Sequence, residues 1–502
     1  MAAKKIRVQD DLYQFVNGDW LKKAKIPADR PSTGGFARLD ENVQKKLRKD
    51  FDLFASGEKK TNIKERKYSI ALYQKVLDKK RRNKDGITPV LPLLKKIASI
   101  QNIDDLNKNG KELTLLGVDL PLDFGVDTDR KNTQKHSFVL TGPSIILPDT
   151  TYYGEDNKAG QKLLSVYQNR ASKILAKTEL SKADQKAYLQ DTISYDALIA
   201  QNVKSQLEWA DYVDNYHPRK LSVVAKKLLP FDLISLRKSF YGENLPEDVI
   251  VYDPKAIEGF KNYFKEENFS KYIHWAYVRA LRRATAYLSE ELYTLGNSYH
   301  RALVGTTHDS PLKKRAFRLA SGTFSEPVGV YYGRTYFGEE AKKDVVNLVK
   351  EIIQAYKGRR EKNTFLAPST KKKAILKLDT IEIKMGYPDK IDEFYKKLKF
   401  TDKDSLFIAR QKINREKIQH GLEKLNQPVD RSEWGRPGYR VNACYNPFSN
   451  DITFPAAILQ KPFYSIKQSK SKNLGGIGAV IGHEISHAFD NNGAHFDEKG
   501  NL

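Results

Sequence analysis

The sequence predicts a mainly α-helical protein built as two lobes, with a small β-hairpin near its C-terminal end. Three observations carry that expectation. A chain of 502 residues exceeds what one hydrophobic core ordinarily organises. Over most of its length, apolar residues recur at three- and four-residue intervals, the spacing of a half-buried helix. After about residue 436 the pattern changes to short runs separated by turn-forming residues.

Residues 161–205 carry Leu163, Leu164, Tyr167, Ala171, Ile174 and Leu175 at helical spacing, and residues 272–304 do the same from Tyr272 and Trp275 to Leu288 and Leu292. Residues 339–358 form a third amphipathic pattern through Val345, Leu348, Ile352 and Tyr356. Between Thr141 and Gly154 the chain is irregular and rich in turn residues, with Pro148-Asp149 inside it. Tyr439 to Tyr445 reads as a strand, Asn446 to Asn450 as a turn, and Asp451 to Phe454 as a second strand closed by Pro455. An exposed strand edge at that place can pair with an extended peptide, the alternative being a purely structural hairpin. No fixed-period repeat is present, and low complexity is confined to short lysine runs.

Composition narrows the function classes. The chain is 40% hydrophobic and 11% aromatic, ample for a globular interior. Its formal charge of +25 raises the question of nucleic acid. Runs such as Lys79-Lys80-Arg81-Arg82 and Lys371-Lys372-Lys373 sit in no nucleic-acid motif, however, and read as solvated helix faces. On composition, neither nucleic acid nor membrane is the expected partner. A generally positive field would favour acidic or neutral peptides over basic ones. The single cysteine, Cys444, excludes a disulfide framework and fits a reducing compartment or a lineage that does without bridges. Met1 to Arg7 lead directly into Gln9-Asp10-Asp11 without an apolar leader segment, and no stretch approaches 18 apolar residues. A cytoplasmic location is the expectation.

The chemistry is concentrated in Gly482-His483-Glu484-Ile485-Ser486-His487, a His-Glu-x-x-His pattern. Histidines four residues apart share one helix face, so both rings can reach one tetrahedral metal ion. Glu484 lies about 100° further round the helix, near the metal without being a ligand. His483, His487 and Asp490 fall on one side of the wheel, and Ile477, Ile481, Ile485, Ala488 and Phe489 on the other. Asp490 is placed to accept an imidazole N–H. Gly493, after Asn491-Asn492, is expected to stop the helix in a left-handed conformation. The plain alternative is two solvated histidines on a surface helix.

From these residues outward the chain resembles the neprilysin/endothelin-converting-enzyme family of zinc metallopeptidases, and its bacterial members of the oligoendopeptidase O type. Asn442-Ala443-Cys444-Tyr445 is similar to the family's Asn-Ala-(Phe/Tyr)-Tyr, with Cys444 in place of an aromatic residue. Ile452 to Leu459, Gly475-Gly476-Ile477-Gly478 and Ala488-Phe489-Asp490 follow the family pattern, as do Val16-Asn17-Gly18-Asp19-Trp20, Leu147-Pro148-Asp149 and Gly386-Tyr387-Pro388-Asp389. The resemblance implies one zinc ion per chain, ligated by His483 and His487, with Glu484 as general base and Asp490 as outer-shell partner. It implies that Asn442 and Ala443 bind the substrate backbone after the cut. A thiol ligand from Cys444 is disfavoured, because zinc thiolates usually come in groups.

The fold implied is two-lobed and neprilysin-like, with a thermolysin-like catalytic lobe of the gluzincin type and a large helical lobe over an enclosed chamber. The expected division is an N-terminal segment over residues 1–50 packing on the catalytic lobe, a helical lobe over 51–369, and the catalytic lobe over 370–502. The implied activity is internal cleavage of oligopeptides before a bulky apolar residue. In the family the third zinc ligand is a glutamate of a downstream Glu-x-x-x-Asp helix. This sequence stops at Leu502 before such a helix, and Glu498 is too close to His487 to serve. The reading is thus of a chain truncated ahead of its third ligand and inactive by itself. The rival is a residual fragment that at most binds peptides.

Overall fold

The computed structural model describes residues 6–60, 63, 66–243 and 246–502. The start of the chain, Met1 to Lys5, where the sequence shows no apolar leader, lies outside them. Among the described residues no helix is long and apolar enough to cross a membrane.

The largest core gathers around the helix Glu266–Ala284, which buries residues on every side, including Phe269, Tyr272, Trp275 and Leu281. A helix buried over most of its surface must be enclosed by neighbours, and here these are Lys158–Leu175, Lys182–Ala200 and Leu91–Ala98. The two long helical patterns in the sequence are each divided. Ser181 and Ser289 accept the Asp184 and Leu292 backbone N–H groups and so start new helices, Lys182–Ala200 and Glu290–Val304. A four-stranded sheet flanks this core: β1 (Asp123–Thr128), β2 (His136–Thr141), β3 (His217–Lys220) and β4 (Asp248–Val251), in the order β1-β2-β4-β3. The sequence reading did not anticipate it.

A second apolar cluster joins Val43, Leu47 and Phe51 of the helix Gly35–Ala55 to Phe317, Tyr332, Ile413 and Ala457. The helix Leu12–Leu21 buries no residue, whereas Phe36 stacks on Phe463 with ring centroids 4.6 Å apart.

The third cluster carries the site. The helix Glu339–Glu361 packs Val345, Leu348, Val349 and Ile353 against Ile477, Ile481 and Ile485 and against a three-stranded sheet. That sheet is β5 (Glu382–Gly386), β6 (Cys444–Asn446) and β7 (Asp451–Pro455), ordered β5-β7-β6. β7 is central and wholly buried, parallel to β5 and antiparallel to β6. The hairpin is therefore real, but its first strand is shorter than the sequence suggests. Tyr439 to Ala443 approach it as an irregular segment, because Arg440 N–H donates to Pro437 O (2.9 Å) and Asn442 N–H to Arg440 O (3.1 Å), closing local turns instead of a ladder. Among the described residues β6 pairs with β7 only; no strand lies on its other edge, where the Tyr445 N–H approaches the Glu484 carboxylate.

Candidate active site

The His-Glu-x-x-His segment occupies a short helix, Ala479–Ser486, entered through one π-helical turn, Leu474–Gly478. Such turns widen a helix locally and recur at functional sites. Gly476 permits the approach: a Cβ there would sit 2.2 Å from Phe463 O. Ile477, Ile481, Ile485 and Ala488 are buried on the core side, as the wheel predicts. Tyr356 Oη donates to Gly482 O at 2.7 Å and ties the helix to its neighbour.

On the opposite side the two imidazoles converge, with His483 Nε2 and His487 Nε2 3.2 Å apart. Their rings stand at 80°, the centroids 4.7 Å apart. His487 Nδ1 lies 2.7 Å from Asp490 Oδ2. A carboxylate can only accept, so Nδ1 carries the hydrogen and Nε2 keeps its lone pair for a metal. Asp490 also accepts the Asn492 and Gly493 N–H groups, at 3.0 and 2.7 Å. Burial pushes its pKa up, but these bonds and His487 hold it below the usual carboxylate range. The turn after the motif differs from expectation, since Gly493 has no positive φ. The chain turns on the Asp490 carboxylate instead, and glycine is needed because a Cβ would lie 1.8 Å from His487 O.

Two imidazole Nε2 atoms facing one point, one ring oriented by a carboxylate, suit zinc as a donor set. Among the described residues no group of three or more His, Cys, Asp or Glu assembles there or elsewhere. Glu484 is 8% exposed. Burial raises its carboxyl pKa against the opposing pull of His483 and His487, which favours a group that takes up and returns a proton. Asn442 is exposed, and among the described residues nothing bonds its side-chain amide, while Ala443 is buried in the third cluster. The Cys444 thiol, free and half-buried, has its pKa raised by burial.

One residue escaped the sequence reading. Lys377, 6% exposed, donates from Nζ to Ala488 O (2.9 Å), Gly493 O (2.7 Å) and Phe496 O (2.7 Å). It fastens the turn that carries Asp490. Burial lowers its pKa to about 8. Its signal in the sequence is a lysine at helical spacing with Ala374, Leu378 and Ile381, on an apolar face. Lys377→Met is expected to cost roughly 2–4 kcal/mol of stability, since three buried carbonyls lose their donor. Urea unfolding would measure it, and an unchanged midpoint would refute the role.

The arrangement defines a class: an α-helical zinc metallopeptidase with its His-Glu-x-x-His helix beside an open strand edge. Comparison with known proteins makes the assignment particular. Two models of peptidase family M13 match the chain, over residues 8–388 and 442–502. It is 40% identical to a neutral endopeptidase of Lactobacillus helveticus, over 98% of this chain and 76% of that protein. A neutral endopeptidase of Lactococcus lactis is 39% identical over 99% of this chain and 78% of its own length. The crystal structure of PepO from Lactobacillus rhamnosis superimposes with a TM-score of 0.92 at 34% identity, covering 99% of this chain and 78% of that one. Mycobacterium tuberculosis zinc metalloprotease Zmp1, in complex with an inhibitor, gives 0.88 at 28% identity, covering 100% and 75%. The chain belongs to peptidase family M13, a family of metalloendopeptidases that use zinc.

Proposed function

We propose that this chain cleaves oligopeptides internally with zinc held by His483 and His487, favouring a bulky apolar residue just after the cut. The observation that carries the reading is the convergence of two Nε2 atoms, one ring fixed by Asp490, beside a buried Glu484 and the edge of β6 that no described strand pairs with. Zinc, when bound, supplies Lewis acidity that polarises a carbonyl and acidifies water. Glu484 accepts the proton of the attacking water and returns it to the leaving amine. Asn442 and Ala443 hold the main chain of the substrate after the cut, and the edge of β6 continues that pairing. A cavity of ≈ 630 Å³ beside β6, with Asp127, Tyr252, Trp434, Cys444 and Phe448 in its lining, supports room for an extended peptide. Residues 1–50 as a segment packing on the catalytic lobe, 51–369 as a helical lobe and 370–502 as the catalytic lobe belong to the same reading. The Phe36–Phe463 stack supports the first part of it, whereas the helix Glu339–Glu361 shares the third cluster with Ile477, Ile481 and Ile485 and so crosses the expected boundary at 369. A cytoplasmic location goes with it, supported by the lone cysteine.

The test is an internally quenched peptide incubated with zinc-supplemented protein, its products identified by mass spectrometry. Chelator-sensitive internal cleavage before Phe or Leu is expected, and cleavage that survives chelation would overturn the reading. A second reading, peptide binding without hydrolysis, is favoured by the absence of a third protein donor among the described residues. It predicts weak zinc retention and no product from a peptide that is nonetheless bound. On the first reading, Asn442→Ala lowers kcat/KM by about 1–3 kcal/mol of transition-state binding with zinc content constant. Unchanged kcat/KM across several peptides would remove Asn442 from the site.

A further inference from the structure

The cavity beside β6 is lined by four Lys and Arg side chains. Three are committed to protein oxygens. Arg130 donates to Tyr212 O, Arg431 to Ser449 O and Lys499 O, and Lys384 to Glu433 O and Asp451. Arg436 differs: among the described residues no oxygen bonds its guanidinium and no carboxylate lies within 4.0 Å, its polar contact being the Cys444 thiol on β6. The acids lining the cavity are occupied as well. Asp451 meets Lys384, Glu433 meets Lys424, Asp127 accepts from Tyr252 and Asp430 from Ser432. A half-buried guanidinium with no anion, facing a space that admits a peptide, is a carboxylate receptor in wait.

We propose that Arg436 selects peptides bearing an acidic side chain shortly before the cleaved bond. The inference rests on the reading that Asn442 and Ala443 hold the residues after the cut. A peptide added antiparallel to that segment then runs backwards along it, so Cys444 to Asn446 lie beside residues before the cut. At about 3.3 Å per residue, Arg436 serves roughly the first three of them. An aspartate or glutamate there offers two oxygens to the planar fork of the guanidinium. Arg436 is a specificity residue and takes no part in moving protons.

Binding can be read without turnover by fluorescence anisotropy, using Glu484→Gln protein and labelled peptides that differ only by Glu, Gln or Lys at one of those positions. We expect about tenfold tighter binding of the Glu peptide than the Gln peptide at one position. That ratio should fall to about one in Arg436→Met and invert in Arg436→Glu, which should prefer Lys. The same ratio in Arg436→Met, or equal binding of the three peptides by protein that retains Arg436, overturns the inference and leaves the peptidase reading standing. A preference that follows a free C-terminal carboxylate over its amide, independent of Glu, overturns the placement before the cut. Protein that binds none of the peptides overturns the edge-binding reading and this inference together.

Discussion

Replacing Glu484 by glutamine is expected to leave zinc content unchanged and to slow peptide hydrolysis by ~10²–10⁴-fold. The amide keeps the shape and the burial of the side chain but cannot accept a proton from water. Its neighbours make the substitution a clean one. The mutual approach of the imidazole nitrogens, 3.2 Å, is set by the helix itself. Core contacts of Ile481 and Ile485 on either side of Glu484 stay in place. Metal binding and proton transfer should therefore separate, and parallel assays of zinc and of turnover would show it. Near-normal turnover in the glutamine variant would mean that another group carries the proton.

The parts of this site that were legible in the sequence are those whose geometry is local. His483, Glu484 and His487 lie on the last turn of the helix Ala479–Ser486 and its cap, and Asp490 in the tight turns that follow, so local geometry brings the imidazoles together and sets the carboxylate against His487. Burial of Ile477, Ile481 and Ile485 follows from the same pitch. What escaped depends on partners far away in the chain. β5 pairs with β7 across a separation that no periodicity reports, aligning Glu382 with Asp451. Lys377 reads as one of many surface lysines until the fold brings Ala488, Gly493 and Phe496 to its ammonium. The hairpin boundary moved because backbone turns at Pro437 to Asn442 compete with strand pairing. Gly493 was legible as a required glycine but for another reason: the chain passes too near His487 O for a side chain. Arg436 has no signal of its own in sequence, because being unpaired is a property of everything around it.

His487→Ala should reduce zinc affinity steeply, and its size can be bounded from its own surroundings. Removing an orienting partner such as Asp490 typically costs ~10–100-fold in metal affinity, because the ligand keeps its nitrogen but loses its fixed tautomer and direction. Removing the ring deletes the donor and also releases Asp490, so the loss should exceed that range. His483→Ala should behave alike, except that the Asp490 turn survives, since its bonds to Asn492 and Gly493 do not involve His483. Thermal unfolding with and without zinc then distinguishes the two. Both variants should lose the stabilisation that metal binding adds to the folded state, while His487→Ala alone should loosen the turn held by Lys377. Competition with a chromogenic chelator gives the affinities directly. Equal zinc affinity in either alanine variant and the parent protein would mean that the metal lies elsewhere, and the order His487→Ala weaker than Asp490→Asn, weaker than parent, is the result the geometry requires.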